Sequence, residues 1–338
     1  MEKFVKELLT DDVIKSVASI YGLYSEELTY IGGFENYIYG FNKDENAYIL
    51  RLSHSSHRNV DELEAEMDFV FYLAKNGANV SMPIYSINQK LVETVRCNDD
   101  SYFTVSAFTK AIGEAPNRHN MTNTAFYNYG KTIGKFHRLT KDYQVKDTIK
   151  PRFIWSDDLL ITQANKYLPK DEQIVNKRLN EIIESIQSIK KSKDNFGLIH
   201  SDIHMGNFFV ANDELTIFDF DDACYHYFIS DIAIALFYLV FMMEDTDKIK
   251  MANNFLPMFM KGYFSENILS KKDFLSMPYF LKLRELILYI VIYRTLDVEK
   301  NEFAKAYISK YKDRIIHQIP FIELDYTSIY DEAIKEAK

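Results

Sequence analysis

The sequence predicts an α+β protein in two lobes. A small antiparallel β-lobe with one inserted helix precedes a larger, mostly helical lobe. Three observations predict this. Between residues 28 and 108, apolar residues alternate in short runs, interrupted once by a helix-period stretch over Val60–Lys75. From residue 122 onward the period is that of helices. Within that helical half, residues 198–222 revert to short strands with acidic and amide groups at their ends. The expected division is 1–107 for the N-terminal, nucleotide-binding lobe and 108–338 for the C-terminal, catalytic and substrate-binding lobe, with a hinge near 106–113.

Bulk properties narrow the classes. The 338 residues suffice for two cores. A net charge of −9 argues against a nucleic-acid partner and fits a cationic small substrate better. Cys97 and Cys224 give neither a disulfide framework nor zinc spacing, and MEKFVKELL has no signal-peptide core, so a cytoplasmic setting is expected. The longest apolar run, 232–243, is too short to span a bilayer, so no membrane partner is expected.

In chain order, Thr10 caps a helix over 10–22, which stops at Gly22. Strands follow at 28–31, 37–41 and 47–52, with a Gly32-Gly33-Phe34-Glu35-Asn36 loop between the first two and a polar turn at 42–46. In the third strand Arg51 shares a half-buried face with Ala47 and Ile49. Asn59 and Glu62 open the inserted helix as a capping box, Gly77 ends it, and Leu63, Met67, Val70 and Leu73 form its stripe. Glu66 lies beside that stripe; Glu62 and Glu64 are competing carboxylates for Arg51. Strands at 80–85, 90–95 and 102–108 complete the lobe. Helices are expected at 122–139, 172–192, 229–243, 248–264, 279–297 and 301–316, and the tail from 319 is weakly patterned.

The chemistry concentrates in LIHSDIHMGNFFVANDELTIFDFDD. His200-x-Asp202-x-x-x-x-Asn207 precedes a hairpin of strands at 208–211 and 215–218, and Asp219 follows. Phosphoryl transfer needs an acceptor hydroxyl aligned on the γ-phosphate and a cation on the transferred oxygens. Asp202 suits the first task, with His200 buttressing the loop. Asn207 and Asp219 offer hard oxygens for Mg²⁺, and Asp221 crowds the same end. Asp222 is a further contact candidate, while Asp231 reads as a cap or a brace for the loop. Gly32 and Gly33 allow backbone N–H groups to approach phosphates, and an Arg51–Glu66 pair suits the α/β-phosphates. The histidines show no metal-ligand spacing; His204, inside the loop, touches substrate or packs.

With those residues assembled, the chain resembles the aminoglycoside phosphotransferase and choline kinase superfamily, which has a protein-kinase-like fold. IGGFENYIYGF is similar to its nucleotide loop and AYILRL to its third strand. ELEAEMDFVFYLAKNGANVSMPI resembles its helix C and fourth strand, GKTIGKFHRL its following helix, LIHSDIHMGN and IFDFDDA its two catalytic signatures, and SDIA the Asp-led helix after them. The resemblance implies Mg²⁺-dependent transfer of a γ-phosphate, from ATP or alternatively GTP, to a hydroxyl of a small molecule. It implies catalytic Asp202 and His200, metal ligands Asn207, Asp219 and Asp221, and nucleotide contacts at Gly32, Gly33, Asn36, Arg51, Glu66, Ser106 and Phe108. Ser201 replaces the usual Gly, and Arg51 stands where many aminoglycoside kinases carry Lys, which favours a homoserine- or choline-kinase-like enzyme over a drug-modifying one. Only eight residues separate Asp222 from Asp231, leaving no room for an activation segment and hence for a protein substrate. A catalytically weak nucleotide-binding regulator is the alternative outside the enzymes.

Overall fold

The computed structural model describes residues 3–33 and 35–336. Phe34 of the glycine loop, the first two residues and the last two of the tail lie outside the described residues. Two compact units form. The first comprises Met1–Gly113, Tyr143–Arg152 and Thr216–Asp221; the second comprises Glu114–Asp142, Phe153–Leu215 and Asp222–Lys338. Among the described residues no helix is long and apolar enough to cross a membrane.

The first unit begins with α1 (Lys3–Leu8) and α2 (Asp11–Ile20). Its strands are β1 (Thr29–Gly32), β2 (Tyr37–Lys43), β3 (Asn46–His54), β4 (Pro83–Ile84), β5 (Glu93–Arg96) and β6 (Tyr102–Thr109), with α3 (Val60–Lys75) inserted after β3. They form one six-stranded antiparallel sheet in the order β1-β2-β3-β6-β4, with β5 also on β6. Alternation sorts the sheet's two faces. Tyr39, Phe41, Leu50, Leu52, Phe103 and Val105 pack with Val13, Val17 and Ala18 of α2. On the other face Phe108 packs against Leu63 and Met67 of α3.

The capping signals act where the sequence places them. Thr10 accepts from Val13 N, and Asn59 and Glu62 exchange both capping-box bonds. Gly77, at φ 76°, supplies the left-handed residue after α3. The strand expected at 80–85 is only β4, because Val80 and Ser81 turn their backbone to Ile217 and Pro83 has no N–H to donate. The strand expected from 90 starts at Glu93, since 86–90 closes a turn through Ser86 N to Lys90 O. α1 was not visible in the pattern; Val5 is its contribution to the core.

The distant segments of this unit are tied to α3. Asp68 takes Tyr143 Oη at 2.8 Å and Lys146 Nζ at 2.6 Å. Arg152 donates to Glu62 O and to Asp221 O.

The second unit contains α4 (Asn123–Thr140), α5 (Leu159–Thr162), α6 (Ala164–Tyr167), α7 (Gln173–Gln187), β7 (Phe196–Ile199) and β8 (Phe208–Ala211). β8 forms a hairpin with β9 (Glu214–Ile217), within which the chain passes to the first unit. Asn212 and Asp213 both take positive φ at its turn. Then come β10 (Cys224–Tyr227), α8 (Phe228–Val240), α9 (Asp245–Phe264), α10 (Lys271–Phe274), α11 (Met277–Thr295), α12 (Glu302–Ile316) and α13 (Tyr326–Glu336). β10 pairs antiparallel with β7, Tyr225 opposite Leu198, a non-local partnership invisible to local pattern.

α8, apolar on every side, is almost wholly buried. α4 and α9 approach backbone to backbone. A Cβ on Gly130 would stand 1.8 Å from Phe259 O, and one on Gly262 1.8 Å from Tyr127 O.

The weakly patterned tail is corrected: it forms α13. Asp325 caps it by accepting from Ser328 N at 2.9 Å, and Tyr330 packs on Phe264 and Phe274. Its buried stripe is only Ile329, Tyr330 and Ala333, too narrow to stand out from its polar neighbours.

Candidate active site

Each unit carries its own cluster. In the first, β3 sets Arg51 opposite Ser106 of β6, on the face covered by α3. Arg51 and Glu66 meet fork to fork, Nη1–Oε1 at 2.9 Å and Nη2–Oε2 at 2.6 Å, both side chains buried. Glu62 is engaged at the helix cap and Glu64 is exposed, so Glu66 is the partner among the three. The guanidinium lies over Phe108 at 5.2 Å, and its Nη1 is 3.6 Å from Asp219 Oδ1. Burial alone would lower the Arg51 pKa, but Glu66, helped by Asp221 and Asp219, raises it. Arg51 Nε, Ser106 Oγ and Asn36 Oδ1 are buried without a partner among the described residues. Such orphaned groups are costly unless a ligand meets them.

The glycine loop has a steric reason. Gly33 takes φ 137°, and a Cβ there would stand 1.8 Å from Asn36 O. Gly32, at φ 145°, has open space around it. Asp219, after β9, also takes positive φ, at 64°.

Asp221 is held by cations. Its Oδ2 is 2.7 Å from His57 Nε2 and 3.4 Å from Arg58 Nε. Burial would raise its pKa, but Arg58, His57 and Arg51 together take it well below the carboxylate range. His57 is also 3.4 Å from Glu35; burial opposes its charge, yet Asp221 prevails and its pKa is raised. Glu35, His57 and Asp221 thus bring one ligand atom each within 4.8 Å. A raised imidazole pKa and an Arg on the same oxygen make this an ion-pair triad rather than a hard-oxygen magnesium site.

In the second unit, residues 200–207 form a loop pinned by Asp231 at the start of α8. The Asp231 carboxylate accepts from Ser201 N at 2.8 Å and His200 N at 3.2 Å, as expected of a brace. Behind it His137 Nε2 stands at 3.2 Å, and His137 Nδ1 meets Tyr263 Oη at 3.0 Å. Burial keeps His137 below its ordinary pKa. Ser201 takes φ 66°, a conformation that costs a non-glycine residue on the order of 1 kcal/mol. Buried His200 accepts from Asp202 N at 3.3 Å through Nδ1, the buttress expected of it.

Asp202 is clamped at both oxygens. Oδ1 pairs with Arg284 Nη2, while Oδ2 faces Asn207 Nδ2 at 3.1 Å and His204 Nε2 at 3.3 Å. Arg284 Nη2 also contacts Tyr238 Oη at 2.6 Å. Burial would raise the Asp202 pKa; Arg284 first, then His204 and His200, lower it. Asn207 Nδ2 also donates to Asp202 O at 2.9 Å, so its Oδ1 is the atom suited to a metal.

Arg284 escaped the sequence reading. Its signal was a Lys282-x-Arg284-Glu285 group of charges inside the apolar helix α11. Next to it β10, α8, α11 and 158–161 line a half-open cavity of about 90 Å³.

The β-sheet unit thus carries a buried Arg–Glu fork, and the helical unit a braced Asp-x-x-x-x-Asn loop. The phosphotransferase enzyme family, APH, matches residues 27–268, and the chain belongs to it. An amicoumacin kinase of Bacillus subtilis (strain 168) is 30% identical over 333 residues, covering 97% of this chain and 99% of that protein. The solved structure of an amicoumacin kinase in complex with AMP-PNP, Ca²⁺ and Ami superposes with a TM-score of 0.92 at 30% identity, covering 97% of this chain and all of that one, 100%. A microcompartment-associated aminopropanol kinase gives a TM-score of 0.74 at 19% identity, covering 91% and 98%, and shares the fold. The expected family and fold therefore hold, and the chain is a small-molecule kinase.

Proposed function

We propose that this enzyme transfers the γ-phosphate of Mg·ATP to a hydroxyl of a small, amine-bearing acceptor, with amicoumacin the first acceptor to test. The observation that carries the reading is the Asp202 carboxylate, ionised by Arg284 and fixed by Asn207 and His204. A carboxylate so held orients the acceptor hydroxyl and takes its proton. The first unit supplies nucleotide contacts: Gly32, Gly33 and Asn36 at the loop, with Arg51, Glu66, Ser106 and Phe108 around the buried fork. Asp219 in the first unit and Asn207 Oδ1 in the second each offer a hard oxygen of the kind Mg²⁺ takes; Asp221 has only Oδ1 to offer, its Oδ2 being engaged by His57. A Mg²⁺ held by such oxygens would neutralise charge on the phosphate oxygens.

The test is incubation of the purified protein with Mg²⁺ and ATP or GTP. The acceptors are amicoumacin, choline, homoserine, aminopropanol and aminoglycosides, with mass spectrometry of the products. A phosphorylated amine-bearing acceptor is expected. No phosphorylated product, together with no thermal stabilisation by either nucleotide with Mg²⁺, overturns the reading.

A further inference from the structure

We propose that the cavity beside the Asp202 clamp seats the reacting end of the acceptor, and that Arg284 makes it select acceptors carrying a carbonyl or carboxylate oxygen close to the hydroxyl that is phosphorylated. The inference rests on the phosphotransferase reading above. Ser201 and Arg284, the chain neighbour and the ion-pair partner of Asp202, both line the cavity. Its volume of about 90 Å³ is below the ~150 Å³ void that holds a benzene, so it takes a few heavy atoms, the tip of an acceptor.

The walls define that tip. Ile161, Ile234, Phe280, Leu283 and Ile287 are apolar and reject a chain of hydroxyls, each of which would be left unpaired. Arg284 and His226 also line the cavity, and each has a buried nitrogen without a partner among the described residues, Nε and Nδ1 respectively. His226 is 3% exposed and stacked on Trp155, with ring centroids 4.6 Å apart. Burial holds its pKa well below the ordinary value, so it adds no positive charge.

Arg284 is therefore the cavity's cation. Its Nη2 is shared by Asp202 and Tyr238 Oη, while a guanidinium carries five donors in one plane. An acceptor oxygen on Nε lies one guanidinium width from Asp202, three or four covalent bonds along the acceptor from the hydroxyl oxygen that Asp202 deprotonates. That relation describes an α- or β-hydroxy carbonyl compound. The carboxylates of Asp158 and Asp222 also line the cavity and suit an ammonium on the same molecule.

The experiment compares matched probes with Mg·ATP. Isoserinamide and threoninamide are set against the same amino alcohols with methyl in place of the carboxamide. The enzymes are the wild type, Arg284→Lys and Arg284→Met. The expected kcat/KM ratio favours the carboxamides at least tenfold in the wild type. Arg284→Lys keeps a cation near Asp202 but has no Nε donor, so the ratio falls toward one while some turnover remains. Arg284→Met loses both, and its melting temperature checks its fold. A wild-type ratio near one, or a preference that survives in Arg284→Lys, overturns the inference. Phosphate release to water is read in the same samples. If the wild type neither hydrolyses Mg·ATP nor phosphorylates any probe or any acceptor of the first test, and neither nucleotide stabilises it, the phosphotransferase reading fails and this one with it. If it hydrolyses Mg·ATP but phosphorylates no carboxamide, only the carbonyl requirement fails.

Discussion

The two units build their clusters differently. In the first, opposite charges are buried together: Glu66 forks Arg51, and Asp221 is held by His57 and Arg58. A donor is left over, Arg51 Nε, beside the unpartnered Ser106 hydroxyl. In the second unit carboxylates are enclosed and donors hold them. Asp231 takes two backbone N–H groups and an imidazole, and Asp202 takes a guanidinium, an amide and a second imidazole. The contrast matches the chemistry each partner brings. A polyphosphate is recognised by surplus donors, whereas a hydroxyl is activated by an ionised acceptor in a fixed orientation.

The contrast breaks first at Glu66. Glu66→Ala strands Arg51 as an uncompensated buried cation and is expected to cost about 3–5 kcal/mol in urea unfolding. An unchanged midpoint would mean that water, not Glu66, satisfies the arginine. Asp231→Asn turns an amide donor toward N–H groups that need an acceptor. It should cost about 1–3 kcal/mol and speed hydrogen exchange at His200 and Ser201; unaltered exchange there would remove Asp231 from its role as brace.

Ser201 gives a smaller effect. Ser201→Gly should be more stable than Ser201→Ala by about 1 kcal/mol, because only glycine relieves φ 66°. Equal melting temperatures would show that the loop relaxes.

The smallest effect is the pH dependence of the first unit. The raised His57 pKa means its pairing stabilises fully below the unfolded imidazole value of about 6.5 and is lost as pH rises through the folded value. His57→Gln should lose that stabilisation below about pH 6.5 and flatten the profile above it. A profile identical to wild type would contradict the triad.

Much of this was legible in the sequence because it is local. The capping box at Asn59 and Glu62, the α3 stripe and the Asp202-to-Asn207 spacing each lie within about three turns of chain. Glu66 emerged over Glu62 and Glu64 because helix phase favours it. Arg284 was not legible, since 82 residues separate it from Asp202 and only the fold joins them. The same holds for β10, which pairs across the chain with β7, and for His57, whose partner Asp221 is 164 residues away. α13 was missed for a different reason: three buried positions do not make a periodic signal.

The central claim is a division of labour, nucleotide on the donor-rich unit and acceptor activation at the clamped carboxylate. Calorimetric titration of Mg·ATP into Asp202→Ala and Asp219→Ala, with turnover measured on the same samples, tests it most directly. Asp202→Ala is expected to bind Mg·ATP as the wild type does and to lose on the order of 10²-fold or more in turnover. Asp219→Ala is expected to lose Mg²⁺-dependent binding itself. Near-normal turnover in Asp202→Ala, or undiminished Mg²⁺-dependent binding in Asp219→Ala, would contradict the account.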